Sequence, residues 1–111
     1  MSDYTPDHWV MVKLTHKGKP IYKILAGWGG SYLYGASWKL NSGVTEVTED
    51  DTHYSFKGSS GSVYHCHKKA YGFSGYTAQV YNNFVDDLVG NDETSIEALD
   101  DDTDFMSIAY E

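Results

Sequence analysis

Two hydrophobic periods meet at Gly75, and that change limits what the chain can fold into. Upstream, apolar residues alternate. From His8 to His16, Trp9, Met11 and Lys13 oppose Val10, Val12 and Leu14, the period of a half-buried strand. Lys17-Gly18-Lys19-Pro20 is a turn, and Ile21 to Trp28 is the antiparallel mate, ended by Gly29-Gly30. Tyr32 to Leu40, Val44 to Glu49, His53 to Lys57 and Ser62 to His67 repeat the alternation, with turn residues between them. After Gly75 the spacing lengthens. Tyr76, Val80, Phe84 and Leu88 stand four apart, with Thr77, Tyr81 and Val85 beside them, as one face of a helix over residues 76–89. Ser74 is its expected N-cap and Gly90 its C′ residue.

The expected fold class is therefore α+β. A twisted antiparallel sheet or small, partly open barrel of about five to six strands carries one amphipathic helix. With 111 residues, the chain reads as a single domain over 1–111. Residues 1–72 are mainly β after a loose lead-in over 1–7, 73–90 carry the helix, and 91–111 form an acidic segment. Within that segment, Asp92 to Leu99 has the pattern of a short helix and Phe105 to Tyr110 that of a final strand, so its apolar residues are expected to dock.

Charge is as segregated as periodicity. All eight cations are lysines, and they lie between Lys13 and Lys69. From Ala70 onward there are ten carboxylates and no base. The net charge of −8 and the absence of arginine speak against direct contact with nucleic acid, which needs cations at its phosphates. They favour a basic protein surface or a metal ion as partner. One cysteine, Cys66, forms no internal disulfide, and Met1-Ser2-Asp3-Tyr4 resembles no secretory leader. No apolar run is long enough for a membrane helix. These features lead to the expectation of a cytoplasmic protein, a monomer or small homo-oligomer, with no membrane partner.

Four constellations have a chemical reading. In His65-Cys66-His67 the two histidines share a strand face and the thiol points away. If Lys57 pairs with Ser62, His53 falls opposite Cys66, and no face gathers the three ligands a metal site needs. Asp100, Asp102, Asp104 and Glu111 match positions 1, 3, 5 and 12 of a calcium loop, but Phe105 stands where that loop requires glycine. Gly27-Trp28-Gly29-Gly30-Ser31 lacks the spacing of a phosphate loop and reads as turn chemistry. The aromatics Trp28, Tyr32, Tyr34, Trp38, Tyr64, Tyr71 and Tyr76 suit either a stacking surface or a core short of aliphatic residues. No catalytic, cofactor or metal residues are assigned.

The strongest reading is the acid strip. Asp86, Asp87, Asp92, Glu93, Glu97, Asp100, Asp101, Asp102 and Asp104 are the expected partner-binding residues. On a rigid support they imitate the phosphate spacing of nucleic acid. The alternatives are a small metal- or ligand-binding protein using His53, His65 and His67 or the Asp100–Asp104 cluster, and an aromatic-rich structural or assembly module.

The stretches Trp9-Val10-Met11-Val12-Lys13, Ala26-Gly27-Trp28-Gly29-Gly30-Ser31-Tyr32-Leu33, Ser37-Trp38-Lys39-Leu40-Asn41-Ser42-Gly43 and Ser60-Gly61-Ser62-Val63-Tyr64 resemble small accessory proteins of tailed bacteriophages. The resemblance spans roughly residues 9–72 and carries no catalytic motif. It implies an early, non-virion protein that acts in the host bacterial cytoplasm. Many such proteins inhibit host enzymes or defence systems, including CRISPR and restriction complexes. The acidic region lies outside the resemblance.

Overall fold

The alternating segments build two four-stranded sheets rather than one. A computed structural model describes residues 3–31, 35–108 and 110. Among these residues the strands are β1 (Asp3–Tyr4), β2 (His8–His16), β3 (Lys19–Ser31), β4 (Gly35–Leu40), β5 (Val44–Glu49), β6 (His53–Gly58), β7 (Val63–His67) and β8 (Thr94–Ala98), with one α-helix, α1 (Gly75–Asp87), before β8. One sheet has the order β1-β7-β6-β5 and the other β4-β3-β2-β8. The class is α+β with a single helix, and neither sheet closes into a barrel.

Alternation distributes the side chains of the second sheet between two cores. Trp9, Met11, Ile24 and Ala26 face the first sheet and pack with Val44, Phe56, Tyr64 and Cys66. Val10, Val12 and Leu25 face the other way and pack with Val80 of α1. The molecule is thus three layers deep, sheet on sheet on helix. Aromatic rings fill the inter-sheet core: the Trp9 ring lies 5.4 Å from Phe56, 4.6 Å from Tyr71 and 5.2 Å from Phe105, centroid to centroid.

The β2–β3 turn is tighter than the sequence suggests. Lys17 (φ 51°) and Gly18 (φ 79°) both take left-handed backbone, and His16 already pairs with Lys19. A two-residue turn of this hand matches strand twist, so Lys19 and Pro20 belong to β3. Gly29-Gly30 does not end β3 either. The strand continues to Ser31 through a register shift against β4. Tyr32, Leu33 and Tyr34, expected at the start of the next strand, lie outside the described residues.

Three further expectations are corrected. From Asp3 onward the lead-in is not loose: Asp3 and Tyr4 pair in parallel with Val63 and Tyr64. Two residues are too few to show a period. The expected helix over 92–99 is replaced by a strand at its centre, β8. Thr94 to Ala98 pairs antiparallel with β2, and the Ala98 N–H donates to the Tyr81 hydroxyl at 3.1 Å. The open edge of β2 outweighs the local helical signal. The strand expected over Phe105 to Tyr110 does not form at residues 105–108, because the Asp104 side chain accepts the Met106 N–H and the Ser107 hydroxyl. Such local bonds compete with a ladder. Phe105 is 2% exposed and enters the inter-sheet core.

The helix begins where the sequence places it. Ser74 and Thr77 form a reciprocal capping box. Left-handed Gly90 (φ 82°) comes one residue beyond C′, because Leu88 is the C-cap. The buried face is rotated by about one residue from the expected row. Thr77 and Val80 are buried, Phe84 and Leu88 are half-buried, and Tyr76 is 41% exposed. The cause is Gly27, which has no side chain and lets Thr77 sit directly on β3.

Candidate functional site

The nine carboxylates of the acid strip sit on elements fixed in the fold, and all nine are exposed. Asp86 and Asp87 occupy the last turn of α1, which holds no basic residue. Anions there oppose the helix dipole at a cost of about 0.3–1 kcal/mol each. Asp92 and Glu93 lie in the following loop. Asn91 Oδ1 accepts the N–H groups of Glu93 and Thr94 at 2.9 Å each, and the Glu93 carbonyl accepts the Lys17 N–H at 2.8 Å. Glu97 projects from β8, opposite Lys13.

Asp100, Asp101, Asp102 and Asp104 form a second group beyond β8. Their backbone is pinned on both sides. The Leu99 N–H donates to the Met11 carbonyl at 2.9 Å, and Phe105 anchors the far end. The Thr103 hydroxyl donates to the Asp100 carbonyl at 2.6 Å. The strip is therefore two clusters joined by Glu97, not one continuous row. The lysine segregation of the sequence is also partly undone in space, since β8 lies beside Lys13 and its start lies beside Lys17. Among the described residues none of the nine acids forms a salt bridge; the ion pairs are Lys57–Glu46, His65–Asp3 and Lys68–Glu49.

Two tyrosines tie down the acidic segment. The Tyr71 hydroxyl donates to the Leu99 carbonyl at 2.5 Å and accepts the Met11 N–H at 3.2 Å. The Tyr110 hydroxyl donates to the Phe105 carbonyl at 2.6 Å. Burial raises both phenols, Tyr71 to about 12, with Asp100 and Asp101 adding to the shift at Tyr71. A phenol whose folded pKa lies above its unfolded value contributes stability that is present below the unfolded pKa. That contribution is lost as pH rises through the folded pKa. The expected result is a loss of stability from pH 10 to about 12. Tyr71→Phe is expected to cost about 1 kcal/mol at neutral pH and to lose less across that window, as followed by urea unfolding at each pH. An identical alkaline loss in the variant contradicts the role of Tyr71.

The histidines differ from expectation. The β6–β7 loop is three residues long, Ser59 to Gly61, with Gly61 at φ 94° and the Gly58 N–H bonded to the Ser62 carbonyl. Lys57 therefore pairs with Val63, and His53 pairs with His67 rather than with Cys66. A shift of one residue moves a side chain to the other face, so His53, His65 and His67 share the outer face of the first sheet. The His53 and His67 rings lie 4.9 Å apart. The signal for this register was Gly61, whose place in a three-residue loop calls for left-handed backbone. The grouping still makes a poor metal site. His67 Nδ1 accepts the Lys69 N–H at 3.0 Å, which keeps the neutral ring's proton on Nε2 and leaves no free lone pair there. His65 is bonded to Ser55 and reaches Asp3 at 3.4 Å. Among the described residues no three His, Cys, Asp or Glu side chains are arranged to hold a metal ion.

Cys66 is fully buried, and burial pushes its thiol up. Phe105, the residue that breaks the calcium-loop pattern, is core, and Glu111 lies outside the described residues. The aromatics do not form one stacking surface. Trp28, Tyr64 and Tyr71 belong to the inter-sheet core, and Trp38 stacks edge-on against Phe84 at 5.7 Å on the helix side. Tyr32 and Tyr34 are outside the described residues.

Sequence reasoning missed one feature. Where α1 stops, the helix-side face of the second sheet opens into an apolar cavity of about 240 Å³. Val12, Leu14, Leu40, Phe84, Leu88 and Ile96 line it, with Lys23 on the β3 side and Asp87 on the helix side. The available signal was the helix length: α1 ends near Leu88, while Leu14, Ile21 and Lys23 continue the face it covers.

Comparison with models of protein families, with curated proteins and with solved structures finds no match.

Proposed function

We propose that this protein is a non-catalytic acidic binding protein of the phage-inhibitor type. It occupies a cation-rich surface on a host nucleic-acid-handling or defence protein, such as a CRISPR or restriction complex, and acts in the bacterial cytoplasm. Its carboxylates take the place of nucleic-acid phosphates. One observation carries this reading: nine exposed carboxylates without ion-pair partners among the described residues stand on backbone tethered to the core. Two of them sit where the helix dipole opposes them, which favours a use for charge at that point over stability. The resemblance of residues 9–72 to phage accessory proteins supports the same class.

The test is capture from a bacterial lysate at low and high salt by the intact protein and by an Asp100→Lys, Asp101→Lys, Asp102→Lys variant. Complementary charge mainly speeds association and is screened by salt. The expected result is a basic protein held by the wild type at low salt, released at high salt and absent with the variant. Equal capture by both proteins at both salts overturns the reading.

A further inference from the structure

We propose that the cavity at the end of α1 is the anchor site for a basic partner, accepting one aromatic or branched aliphatic side chain flanked by lysine or arginine. This rests on the acidic-binder reading and adds what that reading lacks. Surface carboxylates supply steering and orientation, whereas affinity in most interfaces comes from a few apolar side chains seated in pockets. Here a preformed pocket stands beside the helix-end acids. Leu14, Lys23 and Ile96 of the sheet line it from one side, and Phe84, Asp87 and Leu88 at the end of α1 line it from the other. Apolar surface continues beyond the pocket at Val89, which is 76% exposed and neighbours Leu88 and Ile96.

Charge at the rim selects the occupant. The helix side carries Asp87, with Asp86, Asp92 and Glu93 close behind it in the chain. The β3 side carries Lys23, which has no carboxylate partner among the described residues. A peptide segment satisfies both sides. Its apolar side chain fills the cavity, its neighbouring cation meets Asp87, and a backbone carbonyl accepts from Lys23. A free hydrocarbon leaves both charges unanswered, and an acidic segment is repelled along the helix side.

The probes are three capped peptides, Lys-Trp-Lys, Lys-Gly-Lys and Glu-Trp-Glu, titrated into the intact protein while the methyl resonances of Val12, Leu14, Leu88 and Ile96 are followed. Lys-Trp-Lys is expected to move these methyls and to bind roughly tenfold or more tightly than Lys-Gly-Lys, as burial of one aromatic side chain predicts. Asp87→Asn is expected to weaken Lys-Trp-Lys by roughly 1.5- to fivefold. Equal binding of the Trp and Gly peptides, or shifts confined to methyls elsewhere, overturns the anchor. Glu-Trp-Glu binding as tightly as Lys-Trp-Lys overturns the basic partner. The wider reading fails separately, through the reversal of Asp100, Asp101 and Asp102, none of which lines the cavity.

Discussion

Phe105→Ala is expected to destabilise the protein by about 3–5 kcal/mol, the usual cost of deleting a buried aromatic side chain. The Phe105 ring lies 5.2 Å from Trp9, 5.4 Å from Tyr54, 6.1 Å from Phe56 and 5.3 Å from Tyr71. Its removal leaves a void bounded by both sheets, and rigid rings fill such a void poorly. For a domain of this size the loss corresponds to a fall of roughly 10–20 °C in melting temperature. The effect is expected to be uneven. Phe105 is the single side chain of the 100–105 stretch inside the core, so amide protection from Leu99 onward should fall further than protection in β2 or β3. Phe105→Leu, which refills part of the space, should lie between the two. A loss under about 1 kcal/mol for the alanine variant, within the range of surface substitutions, contradicts the placement of this residue.

Gly27→Ala is expected to cost about 1–3 kcal/mol through overpacking. A Cβ at position 27 would fall 2.5 Å from Thr77 Cγ2. Thr77 cannot move easily, because it is β-branched and its hydroxyl is bonded to Ser74 in the capping box. Helix and sheet must separate to admit the methyl. Thr77→Ser removes the obstructing carbon and keeps the capping oxygen. In that background Gly27→Ala should be close to neutral, so the double-mutant cycle should show a coupling of about 1–3 kcal/mol. Urea unfolding of the four proteins measures it. Additive effects contradict the close approach of α1 to β3.

The sequence shows the local periods well and the long-range choices poorly. The alternation from Trp9 to Val12 assigns each of those residues to a core, but nothing local says that two sheets form instead of one. That division appears only when Asn41-Ser42-Gly43 carries the chain from β4 to β5. The buried Asn41 spans the crossing by accepting the Ile24 N–H at 2.8 Å. Residues 92–99 read as helix because Asp92 and Glu93 suit a helix start, whereas an unpaired edge of β2 makes 94–98 a strand. The His53–His67 pairing turned on one residue of loop length. The nine acids were legible as a set. Their division into two clusters was not, because the insertion of Phe105 depends on a core built from Trp9, Phe56 and Tyr71, distant in sequence. The cavity escaped notice because a missing turn of helix leaves no residue to mark it.

Native-state amide hydrogen exchange over residues 86–105 tests most directly whether the acidic region is a fixed surface. Protection is expected at the β8 amides that face β2 and at Leu99, whose N–H is bonded to the Met11 carbonyl. It should approach that of the core strands and collapse in Phe105→Ala. Exchange of these amides at the rate of an unfolded chain in the wild-type protein would contradict the account, because carboxylates on a freely moving tail present no defined spacing to a partner.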